Sequence, residues 1–138
     1  MKQRLSALLL VLILCITGCN TNNSAVSDKV SPTQVNGYTQ ISQDEAKEMM
    51  ARDDGHIIVD VRRQDEYDAG HIPGAIIIPN EDINTERPKE LPDLDQIILV
   101  YCRSGRRSKE ASEKLAKMGY TNIYEFGGII TWNGETTK

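Results

Sequence analysis

Gln96-Ile97-Ile98-Leu99-Val100-Tyr101-Cys102-Arg103-Ser104-Gly105-Arg106-Arg107-Ser108 is the stretch on which the fold turns. Its first half is an unbroken apolar, β-branched run, the pattern of a central strand covered on both faces. The run stops at Cys102, and a short polar turn leads straight into helical periodicity from about Arg106 to Met118. Ala111, Leu115 and Met118 recur at spacings of four and three on one face, and Gly119 stands as the C-terminal stop. A strand, a tight turn and a helix start therefore meet at one cysteine.

Working outward, His56-Ile57-Ile58-Val59-Asp60-Val61 is a second run without alternation and reads as another central strand. Ser42-Gln43-Asp44-Glu45 is a capping box that opens a helix ending before Asp53-Asp54-Gly55, with a short strand ahead of it at Tyr38 to Ile41. Gln64 to Asp68 allows one or two helical turns. Gly70-His71-Ile72-Pro73-Gly74 is turn chemistry, followed by a strand from Ala75 to Ile78 before Pro79. Asn80 to Leu91 can hold a helix whose length Pro88 limits and which Pro92 closes. Ile123-Tyr124-Glu125-Phe126 supplies a last strand. Strands alternating with helices predict an α/β domain with a central parallel sheet and helices on both faces, its ligands gathered at the carboxyl ends of the strands, where Asp60 and Cys102 both lie.

The chain has 138 residues, enough for one domain, and its 39% hydrophobic and 26% charged content is ordinary for a globular fold. Its net charge of −4 argues against nucleic acid as a partner. Lys2 and Arg4 precede an apolar run from Leu5 to Ile16 that is short for a bilayer span, so residues 1–18 read as an export signal. Loss of those two cations makes the remainder more acidic still. Ile16-Thr17-Gly18-Cys19 resembles the bacterial lipobox, which implies cleavage before Cys19, lipidation of its sulfur and attachment to the extracytoplasmic face of the cell membrane by the lipid alone. The alternatives are a signal cut near Gly18 that releases a soluble protein, or an uncleaved anchor. Residues 19–36 are polar and aperiodic and read as a flexible tether, leaving 37–138 as the folded domain, expected to be a monomer. Of three cysteines, Cys15 leaves with the signal and Cys19 is blocked, so Cys102 is left unpaired, either a reactive thiol or a buried small hydrophobe.

The surroundings of Cys102 favour the reactive thiol. A turn between a buried strand and a helix start gathers backbone N–H groups around one point, and Gly105 can adopt angles closed to other residues. If the sulfur sits at that point, the amides, the helix end and Arg103, Arg106 and Arg107 all favour thiolate over thiol and attract an anionic ligand.

Val100 to Ser108 is similar to the active-site loop of single-domain rhodaneses, the rhodanese-like sulfurtransferases. Asp60-Val61-Arg62, Gly70-His71-Ile72-Pro73-Gly74-Ala75, Gly119-Tyr120 and Gly127-Gly128 with Trp132 resemble that family's other signatures in the same order. The resemblance implies a two-step cycle. Cys102 attacks the outer sulfur of a donor such as thiosulfate, expels sulfite and carries the sulfur as a persulfide until a thiol or other thiophilic acceptor collects it. No metal or organic cofactor is required. Arg103, Ser104, Gly105, Arg106 and Arg107 form the substrate-binding loop, with Arg107 suited to fixing its geometry and Arg103 and Arg106 to meeting the donor's oxygens. Cysteine phosphatases of the related fold place arginine six positions after the cysteine. That position is Ser108 here, so the loop is the shorter, sulfur-sized type.

Asp60 and Arg62 are expected near the pocket, either supporting the loop or forming a strand-end ion pair that serves folding alone. Glu66 can join them. His71 lies in a packing turn and is not taken as a base for Cys102, and His56 is expected to face solvent. The other class of function is a non-catalytic rhodanese-fold binding module or sulfur carrier for a partner protein. The intact cysteine and full-length loop favour catalysis.

Overall fold

The computed structural model describes residues 31–138. The expected signal at 1–18 and lipidated Cys19 lie outside the described residues. The strands are β1 (Thr33–Val35), β2 (Tyr38–Gln40), β3 (Ile57–Asp60), β4 (Ala75–Ile77), β5 (Ile97–Cys102) and β6 (Asn122–Gly128). The helices are α1 (Gln43–Met50), α2 (Gln64–Ala69) and α3 (Arg106–Lys117). One sheet runs in the order β1-β2-β6-β5-β3-β4, parallel throughout except for the β1–β2 hairpin at its edge.

The expected α/β fold with helices on both faces is present. The sheet begins at Thr33, inside the stretch expected to be tether, because Val35 pairs with Tyr38 across a two-residue Asn36-Gly37 turn. Both turn residues have positive φ, 46° and 88°, the conformation that matches a hairpin's twist and that Asn-Gly favours. Val35 then packs against the core.

The two runs without alternation have a simple cause. Along β5, Ile98, Val100 and Cys102 enter the core beneath α3, while Leu99 and Tyr101 enter the core on the opposite face with α1 residues Ala46 and Met49. Every second side chain is buried on a different side, so every position must be apolar. The Ser42 hydroxyl accepts from the Glu45 amide at 3.2 Å, as the capping box requires. Asn80 to Leu91 departs from expectation: only a 3-10 turn at Asn80–Asp82 forms, and the segment up to Pro92 is irregular, since each proline removes a helical donor.

Candidate active site

β3 and β5 are parallel neighbours, and the helices that follow them pack on opposite faces: Tyr67 of α2 joins one core and Ala111 and Leu115 of α3 the other. Connections that leave adjacent strand ends in opposite directions open a crevice at their carboxyl ends. That crevice is a cleft of about 610 Å³ lined by Arg63, Glu66, Glu81, Arg103, Ser104, Arg106 and Arg107. A smaller cleft of about 400 Å³ lies on the other flank of the loop, between Gln40, Gln43, Lys109, Glu125 and the Gly127-Gly128 pair among others.

Cys102 is 1% exposed and belongs to the core beneath α3, while the loop residues that follow it, Arg103 to Arg107, line the two clefts. Its Sγ accepts the Gly105 N–H at 3.0 Å. Gly105 caps α3 with φ 103°, a left-handed conformation that turns the chain sharply enough to aim this amide back at the sulfur. Arg106 and Arg107 open α3 and its first turn contains no acid, the reverse of what a helix start ordinarily favours. A helix end without its own counter-anion, beside four arginines, favours an anion from outside.

The arginines divide by environment. Arg107 forms a two-point ion pair with Glu66, Nη1 to Oε2 at 2.7 Å and Nη2 to Oε1 at 2.9 Å, and so fastens the loop to α2. The hydrogen bonds from Arg107, assisted by the Arg63 amide, hold the Glu66 carboxyl down at about 2 against its burial. Arg103 is exposed with its side chain on the cleft, and Arg106 is exposed with a longer 3.4 Å contact to Glu110. Both are open to a ligand.

Asp60 and Arg62 are brought together with each other, not with the sulfur. Arg62 donates to Asp60 at 2.7 Å and to the Gly70 carbonyl at 2.7 Å, locking the end of β3 to the following turn. The two form a strand-end ion pair, and the Tyr101 ring lies 5.8 Å under the Arg62 guanidinium. The Tyr101 hydroxyl accepts the Ile72 amide, and burial pushes its ionisation far up. His71 stacks on Tyr67 and engages its carbonyl at 3.0 Å, a packing role. His56 is half-buried against Asp54 at 2.7 Å instead of facing solvent.

Three further residues belong to the site: the sequence names Ser108 and Gly128 within motifs and Glu125 within a strand, but none of them as a site residue. Ser108 lies 3.5 Å from Cys102 Sγ and Glu125 accepts its hydroxyl at 2.6 Å. Gly128 lies opposite Cys102 in β6, after a bulge that shifts the register between Val100 and Cys102. A legible signal existed for Glu125: with Ile123 packed under α3, period-two alternation puts this acid at a core position of the same face.

The chain belongs to the rhodanese-like domain family, whose model matches residues 42–135. It is 38% identical over 71 residues to thiosulfate sulfurtransferase PspE of Escherichia coli, covering 51% of this chain and 68% of that one. It is 33% identical over 107 residues to a putative sulfur carrier protein, YrkF, of Bacillus subtilis, covering 77% of this chain but only 57% of the relative. A solved rhodanese with anions from E. coli superposes with a TM-score of 0.55 at 36% identity, covering 60% of this chain and 98% of that structure. Sulfur transfer is thus the activity that the relatives support.

Proposed function

We propose that this protein is a thiosulfate-type sulfurtransferase in which Cys102 carries the transferred sulfur as a persulfide. The observation that carries this reading is the Gly105 N–H aimed at Cys102 Sγ at 3.0 Å, inside a loop whose arginines line a cleft at the sheet's carboxyl edge. A small anionic donor enters beside Arg103 and Arg106. The thiolate attacks its outer sulfur, the S–S bond of the donor breaks, and sulfite leaves with the bonding electron pair. The persulfide anion that results is held by the same amide until a thiol or another thiophile removes the sulfur. Because Sγ is buried, either the loop or the Cys102 side chain must move for each exchange, which favours small reactants over bulky ones.

The reading is tested by thiocyanate release from thiosulfate and cyanide. Cys102→Ser is expected to abolish it with no loss of fold, and retained activity overturns the assignment. Similarity to a putative sulfur carrier favours one second reading, that the persulfide is delivered to a partner protein instead of a free acceptor. A persulfide that survives small thiols yet discharges onto a protein distinguishes the two. We also place the domain on the extracytoplasmic face of the cell membrane through a lipid on Cys19. The mass of the membrane-extracted protein tests this: an N-terminal Cys19 bearing acyl chains is expected, and an unmodified N-terminus refutes it.

A further inference from the structure

Glu125 is a carboxylate in the core, 3% exposed, and the mechanism above does not use it. Its Oε1 accepts the Ser108 hydroxyl at 2.6 Å and the Gly127 N–H at 2.9 Å, and its Oε2 lies 3.4 Å from Gln40 Nε2. The bulge in β6 is what lets Gly127 turn its amide back onto a side chain two residues earlier. Ser108 is wholly buried on the first turn of α3, with its Oγ 3.5 Å from Cys102 Sγ.

The direction of these hydrogen bonds matters. Ser108 owns a single hydroxyl proton, and three acceptors surround it: Glu125 Oε1 at 2.6 Å, the Gly105 carbonyl at 3.0 Å and the Gly127 carbonyl at 3.3 Å. With Glu125 ionised the proton belongs on the shortest, charge-assisted bond. The oxygen then presents lone pairs to the sulfur, an arrangement that accepts from a thiol and repels a thiolate. A thiolate beside an ionised Glu125 would also put two anions into one buried chain. Moving one proton along the chain removes both conflicts.

We propose that Ser108 and Glu125 form a proton relay for Cys102, in which the thiol proton passes to Ser108 Oγ while the Ser108 proton passes to Glu125 Oε1. The product is thiolate and carboxylic acid in place of thiol and carboxylate, so the chain keeps one negative charge throughout. The hydrogen bonds reverse: Glu125 donates to Ser108, and Ser108 donates to the anionic sulfur. Ser108 touches the reacting atom. Glu125 acts through it, as a positioning residue that stores the proton. Charged and titratable groups face the relay from each neighbouring element. Tyr38 comes from β2, its phenol raised by burial and then by Glu125 and Glu113. Lys109 of α3 lines the smaller cleft with Glu125, α1 offers only the neutral Gln43 there, and Arg107, tied to Glu66, faces Cys102.

The relay rests on the sulfur-carrying role of Cys102, but its test needs no sulfur donor. The ultraviolet thiolate absorbance of the full-length chain is followed against pH with Cys102→Ser as the blank, together with the iodoacetamide alkylation rate. Wild type is expected to keep a partial thiolate signal, flat with pH, from neutral into mildly acidic solution. Glu125→Gln keeps the shape but cannot take the proton, so the flat region should vanish and alkylation in mild acid should fall by about tenfold or more. Ser108→Ala should act in the same direction, and Ser108→Thr should restore the wild-type profile. An unchanged Glu125→Gln profile overturns the proposal. So does a shift to lower pH, the result if Glu125 only repels thiolate. If Glu125→Gln does not fold, the Ser108→Ala and Ser108→Thr pair decides. The predicted profile in a protein that transfers no sulfur would sink the sulfurtransferase reading and leave the relay standing.

Discussion

Gly128→Ala perturbs the site at its closest backbone contact. A Cβ on Gly128 would stand 2.5 Å from Ser104 Cα, 2.6 Å from the Arg103 carbonyl carbon and closer still to the Arg103 carbonyl oxygen. The φ of Gly128 is −132°, an ordinary strand value, so space and not backbone angle excludes the side chain. Restoring an ordinary carbon–carbon contact of about 3.5 Å requires the loop to retreat by about 1 Å. The obstructing atoms are backbone and cannot swing aside. Overpacking of this kind costs about 1–3 kcal/mol, and a displacement of about 1 Å at the reacting group costs about 100-fold in rate. The assay pairs thermal unfolding with kcat/KM for thiosulfate-dependent thiocyanate formation. Gly74→Ala is the control. Gly74 has φ 81° and open space, so alanine there should cost about 1 kcal/mol in strain while leaving kcat/KM alone. If Gly128→Ala stays within about threefold of wild type in kcat/KM, the loop is not held against β6 as described.

Further outcomes follow from the same geometry. Glu66 is drawn from 4.5 to about 2, so the stability it contributes is full above 4.5 and is lost as pH falls towards 2. Glu66→Gln should flatten the acid limb of a stability–pH profile in that window and lower stability at neutral pH by about 1.5–3 kcal/mol, and an unchanged acid limb contradicts the pairing. A chain begun at Ser31 should retain the full melting temperature, whereas one begun at Gly37 strips β1 and Val35 from the edge and should melt several degrees lower, by about 1–2 kcal/mol. Equal melting temperatures would return residues 33–35 to the tether. Maleimides carrying bulky groups should label Cys102 far more slowly than iodoacetamide does, since Sγ lies beneath the loop; equal rates would mean an open thiol.

Much of this architecture is visible in local sequence. β3 and β5 announce themselves because burial on both faces makes their runs apolar up to the paired Asp60 that ends β3, and the Ser42–Glu45 cap names the start of α1. The loop from Cys102 to Arg107 is legible because its chemistry is contiguous. What escaped depends on pairings distant in sequence. Glu66 meets Arg107 across 41 positions, and Glu125 meets Ser108 across 17, and no local pattern reports such contacts. The Asn36-Gly37 turn is a hairpin signal, but β1 beside it is three residues of mostly exposed, polar chain with no periodicity to mark a strand. Prolines made the irregular segment after Asp82 predictable only in outline.

The most direct test of the central claim is the intact mass of the protein after exposure to thiosulfate and removal of excess donor. A gain of one sulfur atom, mapped to Cys102, discharged by cyanide and absent from Cys102→Ser, is the predicted result. A protein whose mass never changes, or whose added sulfur maps elsewhere, contradicts the account.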